Sequence, residues 1–367
     1  MRNRTVLKLS TAVALTALLS GAMATGSQAA VAESTRPRPA ATTNSGVPAL
    51  VDPDKGLAAQ TPEIQGRWTD NIYFSSRVRA GGQDYGVVVQ TVSAHDSQPR
   101  IVSFAVTNVT TGWYKNEAIV VNPNDYNWST TGLDISAPGL KWTGNAQQMN
   151  LSIKVPWGSF NVTAKSRGPA LYYGGTGAFS LFGQTNHEYA LPDLQTTGTL
   201  EIDGKSRRVT GRSWLDRQWG VIPSDPSGWR WTWMNFNMPN GDSVALYDAV
   251  SNDGENAWAT VVRRDGTHEV VPVEPLARRA DRYYTSSTSG DRYPTRWRVN
   301  IPALGARLTV TVSGPRKQEI TQGSGGRMEA TTSFTGVYKG RSVTGKNNVK
   351  LIGDWKPATS TPTPQSS

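Results

Sequence analysis

The chain has 367 residues, with 38 Lys and Arg against 28 Asp and Glu, no Cys, three His and 13 Trp. Without Cys there can be no disulfide, thiolate zinc site, iron–sulfur cluster or Cys nucleophile. The sequence holds no phosphate-binding glycine loop, no G-x-G-x-x-G and no G-x-S-x-G, so common nucleotide-binding and serine-hydrolase signatures are missing.

Arg2, Arg4 and Lys8 precede a short, mostly apolar run ending at Ala24, and small residues surround Ser27-Gln28-Ala29-Ala30. This pattern predicts a signal peptide over residues 1–30, cleaved near Ala29-Ala30, and a secreted protein. No Cys follows the run to take a lipid anchor. No later stretch approaches about 20 continuous apolar residues, so no integral membrane segment is expected. Residues 31–61, rich in Pro, Ala, Thr and Ser, read as a flexible leader, and residues 356–367 as a disordered tail. The basic excess is diffuse; its densest patch, around Arg278, Arg279 and Arg282, is diluted by acids such as Asp281. With no recognition motif, nucleic acid is not an expected partner.

Between the two ends the pattern is β throughout. Period-two or β-branched runs recur, among them Val87-Val88-Val89, Leu151-Ser152-Ile153-Lys154-Val155 and Leu308-Thr309-Val310-Thr311-Val312. Turn pairs such as Asp203-Gly204 and Asn240-Gly241 separate them. No helical stripe exceeds about two turns. So many short strands predict an all-β fold, and the length predicts two antiparallel β-barrel domains, residues 62–211 and 212–355. A short echo supports the duplication: Thr197-Gly198 through Gly204 to Val209-Thr210-Gly211 resembles Thr335-Gly336 through Gly340 to Val343-Thr344-Gly345.

The informative segment is 170–233. It holds Tyr172-Tyr173, His187-Glu188-Tyr189, Trp214-Leu215-Asp216-Arg217-Gln218-Trp219 and Trp229-Arg230-Trp231-Thr232-Trp233. On a strand, Trp229, Trp231 and Trp233 share one face, as a core layer or as the wall of a site for a flat or greasy ligand. Trp214 shares a face with Asp216. A carboxyl held among indoles is desolvated and keeps its proton to higher pH, as a general acid requires. A salt bridge from Asp216 to Arg212 or Arg217 is the structural alternative.

The Tyr172-Tyr173 pair, the hairpin Thr197-Gly198-Thr199-Leu200-Glu201-Ile202-Asp203-Gly204 and the string Val209-Thr210-Gly211 through Trp214, Asp216 and Trp219 resemble the lipocalin-like carotenoid 1,2-hydratase superfamily. That group includes hydroxyneurosporene synthases, kievitone hydratases, AttH-like secreted proteins and lipocalin-like Diels–Alderases. The resemblance implies two lipocalin-like barrels in tandem. It also implies that Asp216 protonates an isolated double bond and that water adds to the cation without a cofactor. No metal site is expected. Trp214 and Trp219 would pack beside the cation. Two family Glu positions align with Thr335 and Lys350, and Gly174 stands where a Ser usually follows the Tyr pair.

The expected function is a cofactor-independent hydration, dehydration or cyclisation of a hydrophobic or aromatic small molecule. Asp216 would be the acid, Tyr173, His187 and Glu188 its helpers, and Tyr172, Trp214, Trp219, Trp229, Trp231 and Trp233 the substrate wall. Two alternatives stand beside it. One is a non-catalytic carrier using the same wall. The other is a secreted glycan-binding or glycan-cleaving protein, for which Glu188 or Asp225 would have to supply a second carboxylate.

Overall fold

The computed structural model describes residues 48–62, 68–94, 100–221, 228–252, 254–276, 279–322 and 325–355. The expected signal peptide, the start of the leader and the tail lie outside the described residues. No helix among the described residues is long and apolar enough to cross a membrane.

Two antiparallel sheets account for nearly all of the described chain. The first begins with a meander of four strands, Trp68–Ala80, Gln83–Ala94, Arg100–Asn108 and Trp113–Val121. It ends with the long hairpin Gln184–Ile202 and Lys205–Val221. The last strand returns to pair with the first, Trp68 opposite Val221 and Arg79 opposite Thr210, which curls the sheet around its own core. The second sheet repeats the plan, its last strand Arg341–Ile352 pairing with its first, Arg230–Asn237. These two curled half-barrels bear out the all-β, two-barrel fold expected from the strand spacing, and they are consistent with the tandem lipocalin-like barrels that the family resemblance implies.

Alternation explains each barrel. In strand Gln148–Val155, Met149, Leu151, Ile153 and Val155 are buried in the first core while the residues between them face solvent. The strands at the joint differ, because both of their faces are covered. In Trp68–Ala80, Ile72, Phe74 and Val78 enter the first core, while Tyr73 joins a separate cluster between the sheets. In Lys205–Val221, Leu215 points into the first core and Trp214 into the layer between. In Arg230–Asn237, Met234 and Phe236 fill the second core, and Trp233 meets the layer.

The echo seen in the sequence is a structural duplication. Each sheet closes with a hairpin, turning at Asp203-Gly204 and at Lys339-Gly340, with all four residues at positive φ. Gly198 (φ 157°) and Gly336 (φ 153°) hold matching places. A Cβ at either would come within 2.0 Å of a neighbouring strand's carbonyl oxygen, on Asn161 and Arg307 respectively.

Two expected boundaries move. The 211/212 division falls inside strand Lys205–Val221, all of which belongs to the first sheet; the second sheet starts at Arg230. The leader is not loose over its last stretch. Asp52 caps the one-turn helix Pro53–Gly56, and Leu57 is fully buried in the first core.

Arg217 ties that segment down. Its guanidinium is fully buried, ion-paired with Asp70. It donates to the carbonyls of Gly56 (2.6 Å), Ala58 (2.8 Å) and Asn71 (3.2 Å). It also lies 4.5 Å from the Trp128 ring centroid and 4.8 Å from that of Trp219. Arg217→Met would strand Asp70 and these carbonyls. The expected loss is about 3–5 kcal/mol in denaturant unfolding; a loss under about 1 kcal/mol would contradict this reading.

Candidate active site

The layer between the sheets is built around Asp216, which is 4 % exposed. Trp214 Nε1 donates to Asp216 Oδ1 at 2.8 Å, and the Tyr173 hydroxyl donates to the same oxygen at 2.9 Å. Tyr173 in turn accepts from Trp233 Nε1 at 2.8 Å. An indole N–H can only donate, so this bond fixes Tyr173 as acceptor from Trp233 and leaves its own proton for Asp216. Both donors converge on Oδ1. No described hydrogen bond engages Oδ2, which is therefore the oxygen free to carry a proton.

Burial pushes the Asp216 carboxyl up to about 7, against the opposing pull of the Trp214 and Tyr173 hydrogen bonds and of the Lys350 charge. Glu188, 2 % exposed, accepts from the Tyr247 hydroxyl at 2.9 Å. Burial, then the Asp216 charge, raises Glu188 well above the usual carboxylate range. Two carboxyls that repel one another in a dry layer keep a proton between them near neutral pH.

A second polar set faces them. Arg327 Nε donates to Glu329 Oε1 at 2.8 Å, and its Nη2 donates to Gln90 Oε1 (2.8 Å) and Ser103 Oγ (3.0 Å). Lys350 Nζ lies 3.9 Å from Glu329 Oε1 and 5.1 Å from the Tyr73 ring centroid. Burial pulls the Lys350 ammonium down, although Glu329 opposes this. The buried Tyr73 hydroxyl faces Glu329; burial, together with that charge, holds the phenol well above its usual value.

Of the expected site residues, the layer brings together Asp216, Tyr173, Glu188, Trp214 and Trp233. Trp231 is partly buried against the same cluster. Trp229 lies just before its strand, stacked on Phe182 with ring centroids 4.6 Å apart. Tyr172, His187 and Trp219 do not join Asp216. Trp219 packs into the first core with the partly buried Tyr172 against it, and His187 stacks on Trp219 at 5.3 Å. Neighbours in a strand point to opposite faces, so of His187-Glu188 only Glu188 reaches the layer; Tyr173 reaches it from the 3-10 turn Tyr173–Gly175 that follows the short strand Leu171–Tyr172. The alternative salt bridge from Asp216 does not form among the described residues: Arg217 pairs with Asp70 and Arg212 with Asp193. Asp225 lies outside the described residues.

The sequence reading missed Tyr247, Arg327 and Glu329. Lys350 does enter the layer, but Thr335 is exposed. The carboxylate on that strand is Glu329, opposite Lys350 in the sheet register. Its signal was an acid between two apolar residues, Met328-Glu329-Ala330. Among the described residues, no group of three or more His, Cys, Asp or Glu could hold a metal ion.

The raised Asp216 value sets a pH dependence. Its folded value exceeds the reference of 3.8, so its contribution to stability is fully present below about pH 4 and is lost as pH rises through about 7. Asp216→Asn removes that loss. Between these limits the variant should lose less stability than the wild type in denaturant titrations. Parallel pH curves for the two proteins would contradict the assignment.

With this geometry in hand, comparison with known proteins gives a consistent answer. A family model described as AttH-like matches residues 85–343. Kievitone hydratase from Fusarium solani subsp. phaseoli is 23 % identical over 309 residues, covering 81 % of this chain and 85 % of that protein. A crystal structure assigned as AttH from Nitrosomonas europaea superposes with a TM-score of 0.72 at 18 % identity, over 83 % of this chain and 97 % of that one. Kievitone hydratase from Nectria haematococca gives 0.69 at 21 %, over 83 % and 94 %. CghA with Sch210972 gives 0.51 at 13 %, over 83 % and 96 %. The family match runs from the second strand of the first sheet to the final hairpin of the second and includes Asp216, and on that ground the chain belongs to the AttH-like family.

Proposed function

We propose that this protein is an exported, cofactor-independent enzyme that hydrates, dehydrates or cyclises a hydrophobic or aromatic small molecule, with Asp216 as the acid. One observation carries the reading: a carboxyl buried among indole and phenol rings, with both donors on Oδ1, Oδ2 unengaged, and a value near 7. Such a group holds a proton at neutral pH yet can release it. The relatedness to kievitone hydratase and the fold shared with CghA support this class of reaction on this class of substrate. Export rests on the N-terminal pattern of Arg2, Arg4, Lys8 and the apolar run that follows.

In the hydration direction, Asp216 Oδ2 gives its proton to one carbon of an alkene. The cation left on the other carbon is stabilised by the indole rings of Trp214 and Trp233, which attract positive charge. Water adds to that carbon and its surplus proton returns to Asp216, so the carboxyl ends as it began. Dehydration is the reverse. Tyr173, held by Trp233, positions the carboxyl and stabilises its ionised form. Asp216 is closely packed, so substrate entry requires the aromatic side chains around it to part.

Kievitone is the first substrate to try, in isotopically labelled water. Conversion with label in the product is expected, and Asp216→Asn should lower kcat by about 10²–10⁴-fold without loss of melting temperature. A substrate bound by the wild type but never converted would overturn the enzymatic reading in favour of a carrier. Tyr173→Phe supplies an independent check. The acid must be protonated to act, so activity falls as pH rises through about 7. Removing a donor to the charged form raises the carboxyl further, and the falling limb should move to higher pH. A limb that stays in place would separate Tyr173 from Asp216 chemistry.

A further inference from the structure

The layer between the sheets has a second feature, distinct from Asp216. A cleft of about 460 Å³ lies beside Trp214, lined by Arg77, Arg79, Arg212 and Lys346, with Asp84 the one acid in its wall. Asp216 does not line it; the Trp214 side chain stands at both places. The cations are unequally neutralised. Arg79 and Lys346 share Asp84, at 3.5 Å and 2.7 Å, and Arg212 pairs with Asp193 at 3.2 Å.

Arg77 has no such partner. Its Nη1 donates to the carbonyl of Thr332 at 3.1 Å and approaches that of Asn347 at 3.5 Å. Among the described residues, no carboxylate lies within ion-pair distance of its guanidinium, and Nε and Nη2 make no hydrogen bond. Burial pulls this group down to about 10, and the Asp84 charge, beyond ion-pair distance, opposes this only in part. Beside it stands Asn347, 2 % exposed. Its Oδ1 accepts from the Thr332 hydroxyl at 2.7 Å. Its Nδ2 is buried with no partner at all.

A buried guanidinium outside ion-pair distance of any described carboxylate and an amide donor without a partner, in one cleft, are the parts of an anion site. Arg binds carboxylate and phosphate through paired N–H donors, and a buried N–H is costly until an acceptor meets it. We propose that the cleft binds a small molecule through an oxyanion group, a carboxylate or a phosphate, seated between Arg77 and Asn347. This does not rest on the catalytic reading of Asp216.

The test is isothermal titration calorimetry and thermal shift on the full chain, with succinate and inorganic phosphate as probes against chloride at equal ionic strength. Saturable binding of at least one probe is expected, with a melting rise of at least about 2 °C at hundredfold excess over Kd. The probe that binds identifies carboxylate or phosphate as the ligand chemistry. Asn347→Asp keeps the Thr332 hydrogen bond but puts a carboxylate in the site. It should weaken binding at least about tenfold while leaving the melting temperature in chloride unchanged or higher. Arg77→Gln, which keeps a donor for the Thr332 carbonyl, should weaken binding similarly. Asp216→Asn should bind the probe as the wild type does, so failure of the acid reading leaves this result intact. No binding of either probe by the wild type, or equal affinity in both cleft variants, would overturn the proposal.

Discussion

Of the hydrogen bonds that cross between the two halves of this protein, one chain runs through the acid. Trp233, on the first strand of the second sheet, donates to Tyr173, and Tyr173 donates to Asp216 on the last strand of the first sheet. The chain can exist only because the strands it links are buried on both faces. Each barrel uses one face for its own core, and the remaining faces must find partners with each other. An all-apolar joint would do this at less electrostatic cost. This joint instead buries Asp216, Glu188, Glu329, Arg327 and Lys350, an arrangement expensive enough in desolvation to suggest a use beyond cohesion.

The joint is also asymmetric. On one side of Asp216 lie aromatic rings: Tyr247 stacks on Trp258 at 5.3 Å and packs against Phe179 at 6.0 Å. On the other, past Trp214, the layer turns polar and basic, with Ser75, Arg77, Asn235 and Asn348 in the wall of the cleft. The acid thus sits where an apolar environment meets a polar one. That position accounts for its raised value without a salt bridge: the rings exclude water, and two hydrogen bonds from neutral donors only partly offset the loss.

Much of the fold was legible because alternation and turn chemistry are local. Met149, Leu151 and Ile153 declare their strand, and Asp203-Gly204 its turn. The echo between Gly198 and Gly336 exposed the duplication because both positions forbid a side chain. The site was legible only in part, and strand parity explains where reading stopped. Trp214 and Asp216 are two apart and share a face. Trp219 is three from Asp216 and must point the other way, so its indole serves the first core. The adjacent strand residues His187 and Glu188 could not both enter one layer, and the sequence did not say which would; Tyr173 enters it from a 3-10 turn that strand parity does not describe. Glu329 and Lys350 are brought opposite each other by sheet register, and Tyr247 reaches Glu188 only because the two sheets pack together. No local pattern carries that information. The division at 211/212 falls inside strand Lys205–Val221, whose outward face carries Trp214 and Asp216 into the layer between the sheets.

The central claim is that Asp216 is a protonated acid in the folded protein at pH values where a solvated carboxyl is ionised. Infrared difference spectroscopy between the wild type and Asp216→Asn measures this directly, through the carbonyl stretch of a protonated carboxyl. The structure predicts a difference band that persists above about pH 5, where an ordinary Asp has lost its proton, and that titrates away with a midpoint near 7. A band already gone by about pH 5 would mean an ionised Asp216, and would contradict the account.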